Sequence, residues 1–179
     1  MSGILNAAAS GVGNISEYLD DTTVNPIAVV YVDTLLANGC VNTQNITVNI
    51  YPQPKLSSTA TPSAICDKAT FNYYATSGTF GTTFAWGRNT VTGLGNAASS
   101  GSGPGISEQL FDTIATPVVI SYVDTLTANG CSNLQYVVLT VNPTPKLSTS
   151  LTPAAICNNN VFSYNPLSNT SVSLSLIHI

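Results

Sequence analysis

The decapeptide YVDTLLANGC at residues 31–40 returns as YVDTLTANGC at residues 122–131, with nine of ten positions identical at an offset of 91. A chain that repeats itself at a fixed spacing builds one structural unit more than once, so this feature limits the fold more than any other. The offset extends well beyond the decapeptide. Ile15-Ser16-Glu17 corresponds to Ile106-Ser107-Glu108, and Pro52 and Pro54 to Pro143 and Pro145. Lys55-Leu56-Ser57 corresponds to Lys146-Leu147-Ser148, Ala64-Ile65-Cys66 to Ala155-Ile156-Cys157, and Phe71 and Tyr73 to Phe162 and Tyr164. Upstream, NAAAS (6–10) matches NAASS (96–100) after one residue of slippage. The period exceeds the roughly 45 residues of most solenoid repeats and suits a small β-sandwich of about 100 residues.

Division by the period leaves 55–145 as one complete unit, with 1–54 matching its later part and 146–173 its beginning. The expected organisation is therefore a window on a longer tandem array. Positions 172–179 should resemble GTTFAWGR (81–88) but read VSLSLIHI, and the register is lost from about Leu174. LSLIHI also resembles the translation of a transposase end used as a sequencing adaptor. Residues 174–179 are expected to be a non-native tail, which re-reading the source DNA would decide.

Apolar residues alternate with polar ones at period two, the mark of half-buried strands. Val118, Ile120 and Tyr122 share a face, as do Val137, Leu139 and Val141, and as do Ile46, Val48 and Ile50 in the earlier copy. Phe71 pairs in this way with Tyr73, and Phe84 with Trp86. The fold class is all-β, with at least four strands per unit. Asn129-Gly130 predicts a tight hairpin turn. The stretch GLGNAASSGSGPG (93–105) reads as a long loop, and ISEQL (106–110) as a short helical turn. The junctions YPQP (51–54) and NPTP (142–145) read as semi-rigid spacers, because proline restricts φ.

Composition narrows the function classes. Only 7% of residues are charged and the net charge is −4, while 44% are hydrophobic. The four basic residues, Lys55, Lys68, Arg88 and Lys146, are scattered, which excludes a patch for a phosphate backbone and argues against nucleic-acid binding. No apolar run approaches the roughly 20 residues of a membrane-spanning helix, so no membrane insertion is expected in this segment. MSGILNAAASGVG lacks the basic start and apolar stretch of a signal peptide.

The ordered set of features is more informative than any one of them. A Cys-led strand precedes a Trp-bearing strand. A G-x-G-x-I-S-E-x-L stretch, a V-x-Y strand, an N-G-C turn, a V-x-V strand and a P-x-P junction follow. This pattern resembles the PKD-like, immunoglobulin-related repeats of large surface proteins of gliding bacteria, including gliding-motility adhesins. The resemblance runs to residue 173. It implies tandem immunoglobulin-like β-sandwiches of seven or so strands, export to the cell surface, and adhesive or structural roles. The acidic W-x-x-G-D-G motif of many PKD domains is replaced here by Trp86 followed by Gly87-Arg88-Asn89, which points to a PKD-like relative.

Candidate chemistry is sparse. Cys40, Cys66, Cys131 and Cys157 occupy repeat-fixed positions in a low-charge β protein, the usage expected of disulfides in an oxidising compartment. The pairing is open among Cys66–Cys131, Cys40–Cys66 and Cys131–Cys157. An immunoglobulin-like strand order places Cys66 and Cys131 at opposite ends of a sandwich, against bridge geometry. His178 is the only histidine and lies in the suspect tail, so no catalytic triad and no histidine metal site is expected, and the chain does not read as an enzyme. Glu17/Glu108, Asp21/Asp112 and Asp33/Asp124 recur, without the close spacing of a calcium loop, and read as solvated surface acids. GSGPG (101–105) lacks the Lys-Ser/Thr of a phosphate loop. Thr22, Thr34, Thr113 and Thr125 each follow an aspartate, in triplets resembling the O-glycosylation motif of the same bacterial group's exported proteins. No cofactor is implied.

Two functions are compatible with these features. One is a structural or adhesive repeat segment of an exported surface protein, meeting surface polysaccharide or another surface protein. The other is a carbohydrate- or protein-binding module appended to an extracellular enzyme. Sugar binding would use exposed aromatics, and Tyr18, Tyr51, Tyr74 and Tyr136 do not recur between units.

Overall fold

The computed structural model describes residues 3–171 and 175. The expected non-native tail, Ser175 apart, lies outside the described residues, as does His178. The described residues form an all-β fold of nine strands. They are β1 (Ile27–Ala37), β2 (Cys40–Ile50), β3 (Ile65–Cys66), β4 (Thr70–Tyr74), β5 (Thr83–Arg88), β6 (Ser99–Ser102), β7 (Gly105–Gln109), β8 (Val118–Ala128) and β9 (Cys131–Asn142).

A five-stranded sheet has the order β3-β9-β8-β5-β6, and β4 pairs with β7 in a second, two-stranded sheet. All neighbours are antiparallel except β3 and β9, where Ile65 aligns with Val141 and Cys66 with Asn142. The inward faces of both sheets contribute to one core. Phe71 of β4 and Ile106 of β7 meet Val118, Ile120 and Tyr122 of β8, and Val137, Leu139 and Val141 of β9. This arrangement is compatible with a β-sandwich. The alternating residues that predicted each strand are the ones that supply its buried face, and each fully buried Leu, Ile or Val contributes about 1.5–3 kcal/mol. The rings of Phe71 and Tyr122 stack at 5.4 Å, and Trp86 meets Tyr122 edge-on at 5.8 Å.

β8 and β9 are joined by the two-residue turn at Asn129 (φ 51°) and Gly130 (φ 81°). Positive φ at both positions defines the type I′ turn whose twist matches antiparallel strands, which is why Asn-Gly predicts it. Asn38 (φ 50°) and Gly39 (φ 81°) make the same turn between β1 and β2.

Two expectations are corrected. ISEQ is not a helical turn but most of β7, because an extended strand paired with β4 puts Ile106 and Glu108, two residues apart, on the same inward face. The stretch 93–105 is not all loop, since Ser99–Ser102 forms β6 along β5. Its small residues have a steric reason: a Cβ at Gly101 would lie 2.8 Å from the Trp86 ring.

Outside the central region the same local structure recurs without a core. β1 and β2 form an isolated two-stranded sheet. Residues 146–171 contain no strand, only a bridge between Leu147 and Ser168 that reproduces Leu56 with Ser77.

Candidate functional site

Three places gather polar or reactive side chains: a buried ion pair, a set of inward-facing aspartates, and the joint that holds a cysteine.

Arg88 ends β5 with its side chain buried, and Glu108 faces it from β7. The guanidinium donates from Nε to Glu108 Oε2 at 3.0 Å and from Nη2 to Oε1 at 3.0 Å. It also donates to the carbonyls of Ala97 (2.7 Å) and Asn89 (3.0 Å). The Tyr122 hydroxyl, from β8, donates to Glu108 Oε2 at 2.6 Å. Burial alone would raise the Glu108 pKa, but the hydrogen bonds from Arg88 and Tyr122 hold it below the ordinary carboxylate value. The bond to Glu108 keeps Arg88 more firmly charged. Burial, then the bond to the carboxylate, pushes the Tyr122 hydroxyl far up. A bidentate pair with both carboxylate oxygens engaged is a clamp between the two sheets, not a group poised to react.

Of the recurring acids, Glu17 and Asp33 are exposed, as expected, but those of the complete unit are not solvated surface groups. Glu108 is in the clamp. Asp112 accepts from the Ile114 amide through Oδ1, while its Oδ2 is buried without a partner. Asp124 is 1% exposed, lies inward between Tyr122 and Leu126, and neither carboxyl oxygen has a partner. Desolvation raises its pKa. The sequence reading missed these burials because an inward aspartate leaves the period-two pattern of its neighbours intact. The one available signal was the fixed 14-residue spacing of Glu17–Tyr31 and Glu108–Tyr122, which recurs as a Tyr31–Glu17 hydrogen bond.

The cysteines are all free thiols, exposed at 40, 66 and 157 and half-buried at 131. β9 separates Cys131, its first residue, from Asn142, the register partner of Cys66. At about 3.4 Å per residue the two lie on the order of 35 Å apart along the sheet. Cys131 sits instead at the joint with the N-terminal segment, its Sγ donating to the Tyr51 carbonyl at 3.7 Å. Beside it, Asn133 Nδ2 donates to the Pro54 carbonyl at 2.9 Å. Pro52 and Pro54 are fully buried there. Their counterparts Pro143 and Pro145 are half-buried and exposed.

Of the four candidate threonines, Thr22, Thr34 and Thr113 are exposed and Thr125 is half-buried. Thr22 and Thr113 use their hydroxyls on the carbonyls of Gly3 and Gly93, at 3.0 and 2.9 Å. Among the described residues no group of three or more His, Cys, Asp or Glu comes together to hold a metal. Among them, too, no helix is long and apolar enough to cross a membrane, a statement that does not bear on membrane-spanning strands. No protein-family model matches the chain, and no curated protein matches it either.

Proposed function

We propose that the chain is a structural or adhesive segment of a large exported cell-surface protein, built from tandem immunoglobulin-like β-sandwich units of 91 residues. The observation that carries this reading is the joint. The proline-bearing linker after the first copy is buried against the next, with Asn133 bonded to Pro54 and Cys131 to Tyr51.

Other features support it. In this reading the order β9-β8-β5-β6 would be a G-F-C-C′ sheet and β4-β7 a B-E pair in immunoglobulin nomenclature. Local geometry recurs: the stacked pairs Phe71–Tyr73 and Phe162–Tyr164, one period apart, lie at 5.9 and 6.2 Å, and Gly3 and Gly93, matched after the one residue of slippage, have φ of 90° and 88°. The low charge and the four fixed cysteines suit an extracellular setting, and no residue here is assigned a catalytic role. In this reading the unit boundaries fall at 54/55 and 145/146, and the Asp-Thr triplets are open to O-glycosylation.

The test is to lengthen the chain by one period, as residues 1–145 followed by 55–179, and compare both proteins by small-angle X-ray scattering. A rod gains on the order of 40 Å in maximum dimension, the length of a 12-residue strand, at constant cross-section. Growth in cross-section without lengthening rejects the rod. A glycan array probed with the whole chain addresses the alternative, because tight binding to one glycan would favour a carbohydrate-binding module.

A further inference from the structure

The two joints of the chain each show half of one arrangement. At the first joint, Cys131 of the complete unit approaches the carbonyl oxygen of Tyr51, the residue that follows β2, at 3.7 Å. At the second joint, the residue equivalent to Tyr51 is Asn142, since 51 + 91 = 142. Cys66 is its parallel register partner, and the amide of the next residue, Asp67, donates to the Asn142 carbonyl oxygen at 2.7 Å. Thr144 Oγ1 also donates to Asp67 Oδ2 at 3.0 Å, tying the segment after Cys66 to the linker. The same carbonyl oxygen is thus approached from the upstream unit by the chain at its Cys66-type residue and from the downstream unit by its Cys131-type thiol.

We infer that the Cys66 position of each unit forms a disulfide with the Cys131 position of the following unit, so that the tandem array is cross-linked at every joint. The inference rests on the tandem-unit reading above. Superposing the half-joints places the Cys66-type Cα within about 5 Å of the shared oxygen, from one N–H···O contact and one Cα–C–N step. The Cys131-type Sγ lies 3.7 Å from that oxygen, so the two cysteines reach the same atom from opposite units, and a bridge then needs their Cα atoms to come within about 7 Å. The pattern accounts for the free thiols. By the period, the partner of Cys131 would sit at 66 − 91 and that of Cys66 at 131 + 91, both outside this chain. Bond formation requires a disulfide oxidant. One protein thiolate attacks oxidised glutathione and releases one glutathione thiol. The second protein thiolate then attacks the mixed disulfide and releases another, so two protein thiols are oxidised as one glutathione disulfide is reduced.

The test uses the chain lengthened by one period. One variant keeps only Cys66 of the first complete unit and Cys131 of the second, with every other cysteine replaced by serine. A control keeps only Cys66 and Cys131 of the same unit. Both are equilibrated with oxidised glutathione, then read by thiol titration and intact mass. The cross-joint variant is expected to lose both thiols and two hydrogens while staying monomeric, and the control to form no internal bond. A cross-joint variant that keeps its thiols or holds only glutathione adducts overturns the inference, as does a control that cyclises equally. Amide hydrogen exchange separates the two levels. If both long hairpins of the complete units are protected and the cross-joint thiols stay unbonded, only the disulfide inference fails. If the second hairpin is unprotected, the tandem-unit reading fails and the inference falls with it.

Discussion

The hairpins β1–β2 and β8–β9 are nearly the same object in two settings. Both place Tyr opposite an aliphatic residue, Tyr31 against Ile46 and Tyr122 against Val137, and both close on an Asn-Gly turn. Yet Ile46 and Val48 are 45% and 38% exposed, while their counterparts Val137 and Leu139 are 0%. Hydrogen bonding and turn chemistry are equal in the two, so the difference lies in what covers them. Phe71 and Trp86 cover β8 and β9, and 71 − 91 and 86 − 91 both fall before Met1. The C-terminal segment makes the same point, because Phe162 is 53% exposed where Phe71 is 3%. Local sequence suffices for the hairpin's shape, whereas its stability depends on a second sheet.

The sharpest way to break this comparison is amide hydrogen exchange across the whole chain. The inner amides of β8 and β9 should exchange only on global opening, at least about a thousandfold slower than those of β1 and β2. Equal protection would show that the first hairpin finds cover, within the chain or in a second copy. Next in size, Tyr122→Ala should lower stability by about 3–5 kcal/mol in denaturant unfolding, through the lost ring and the weakened hold on Glu108. Tyr31→Ala should stay within about 0.5 kcal/mol. Arg88→Ala should cost about 3 kcal/mol or more by leaving Glu108 buried beside no cation. Glu17→Gln, at the counterpart of Glu108, should change the melting temperature little.

A smaller effect separates the aspartates. Because burial raises the Asp124 pKa, the folded state holds its proton to higher pH than the unfolded state does. The group's stabilising contribution is therefore complete below the unfolded carboxylate pKa and is lost as pH rises through the folded value. Asp124→Asn should raise the melting temperature at neutral pH, with the gain shrinking toward acid. Asp33→Asn, at the exposed equivalent, should leave the melting temperature at neutral pH nearly unchanged. A flat pH dependence for Asp124→Asn would mean that water or a partner reaches its carboxyl. Smallest of all, Gly130→Ala should cost about 1 kcal/mol, because φ of 81° disfavours a side chain. Gly39→Ala should leave global unfolding unchanged.

Much of this was legible in the chain. The 91-residue offset, the all-β class, the long strands and the Asn-Gly turns follow from the sequence alone, because alternation and turn preference act over a few residues and recur wherever the same residues do. The sequence did not disclose that ISEQ would extend as β7, that Arg88 would bridge to Glu108 twenty residues away, or that Asp124 would be sealed beneath the second sheet. Nor did it show that Cys131 would meet Tyr51 eighty residues upstream. Each of these depends on which distant segment comes to lie over a given face, and only the tertiary packing of the two sheets and the joint decides that. Local propensity is the same for Asp33 and Asp124, but the desolvation each experiences is not.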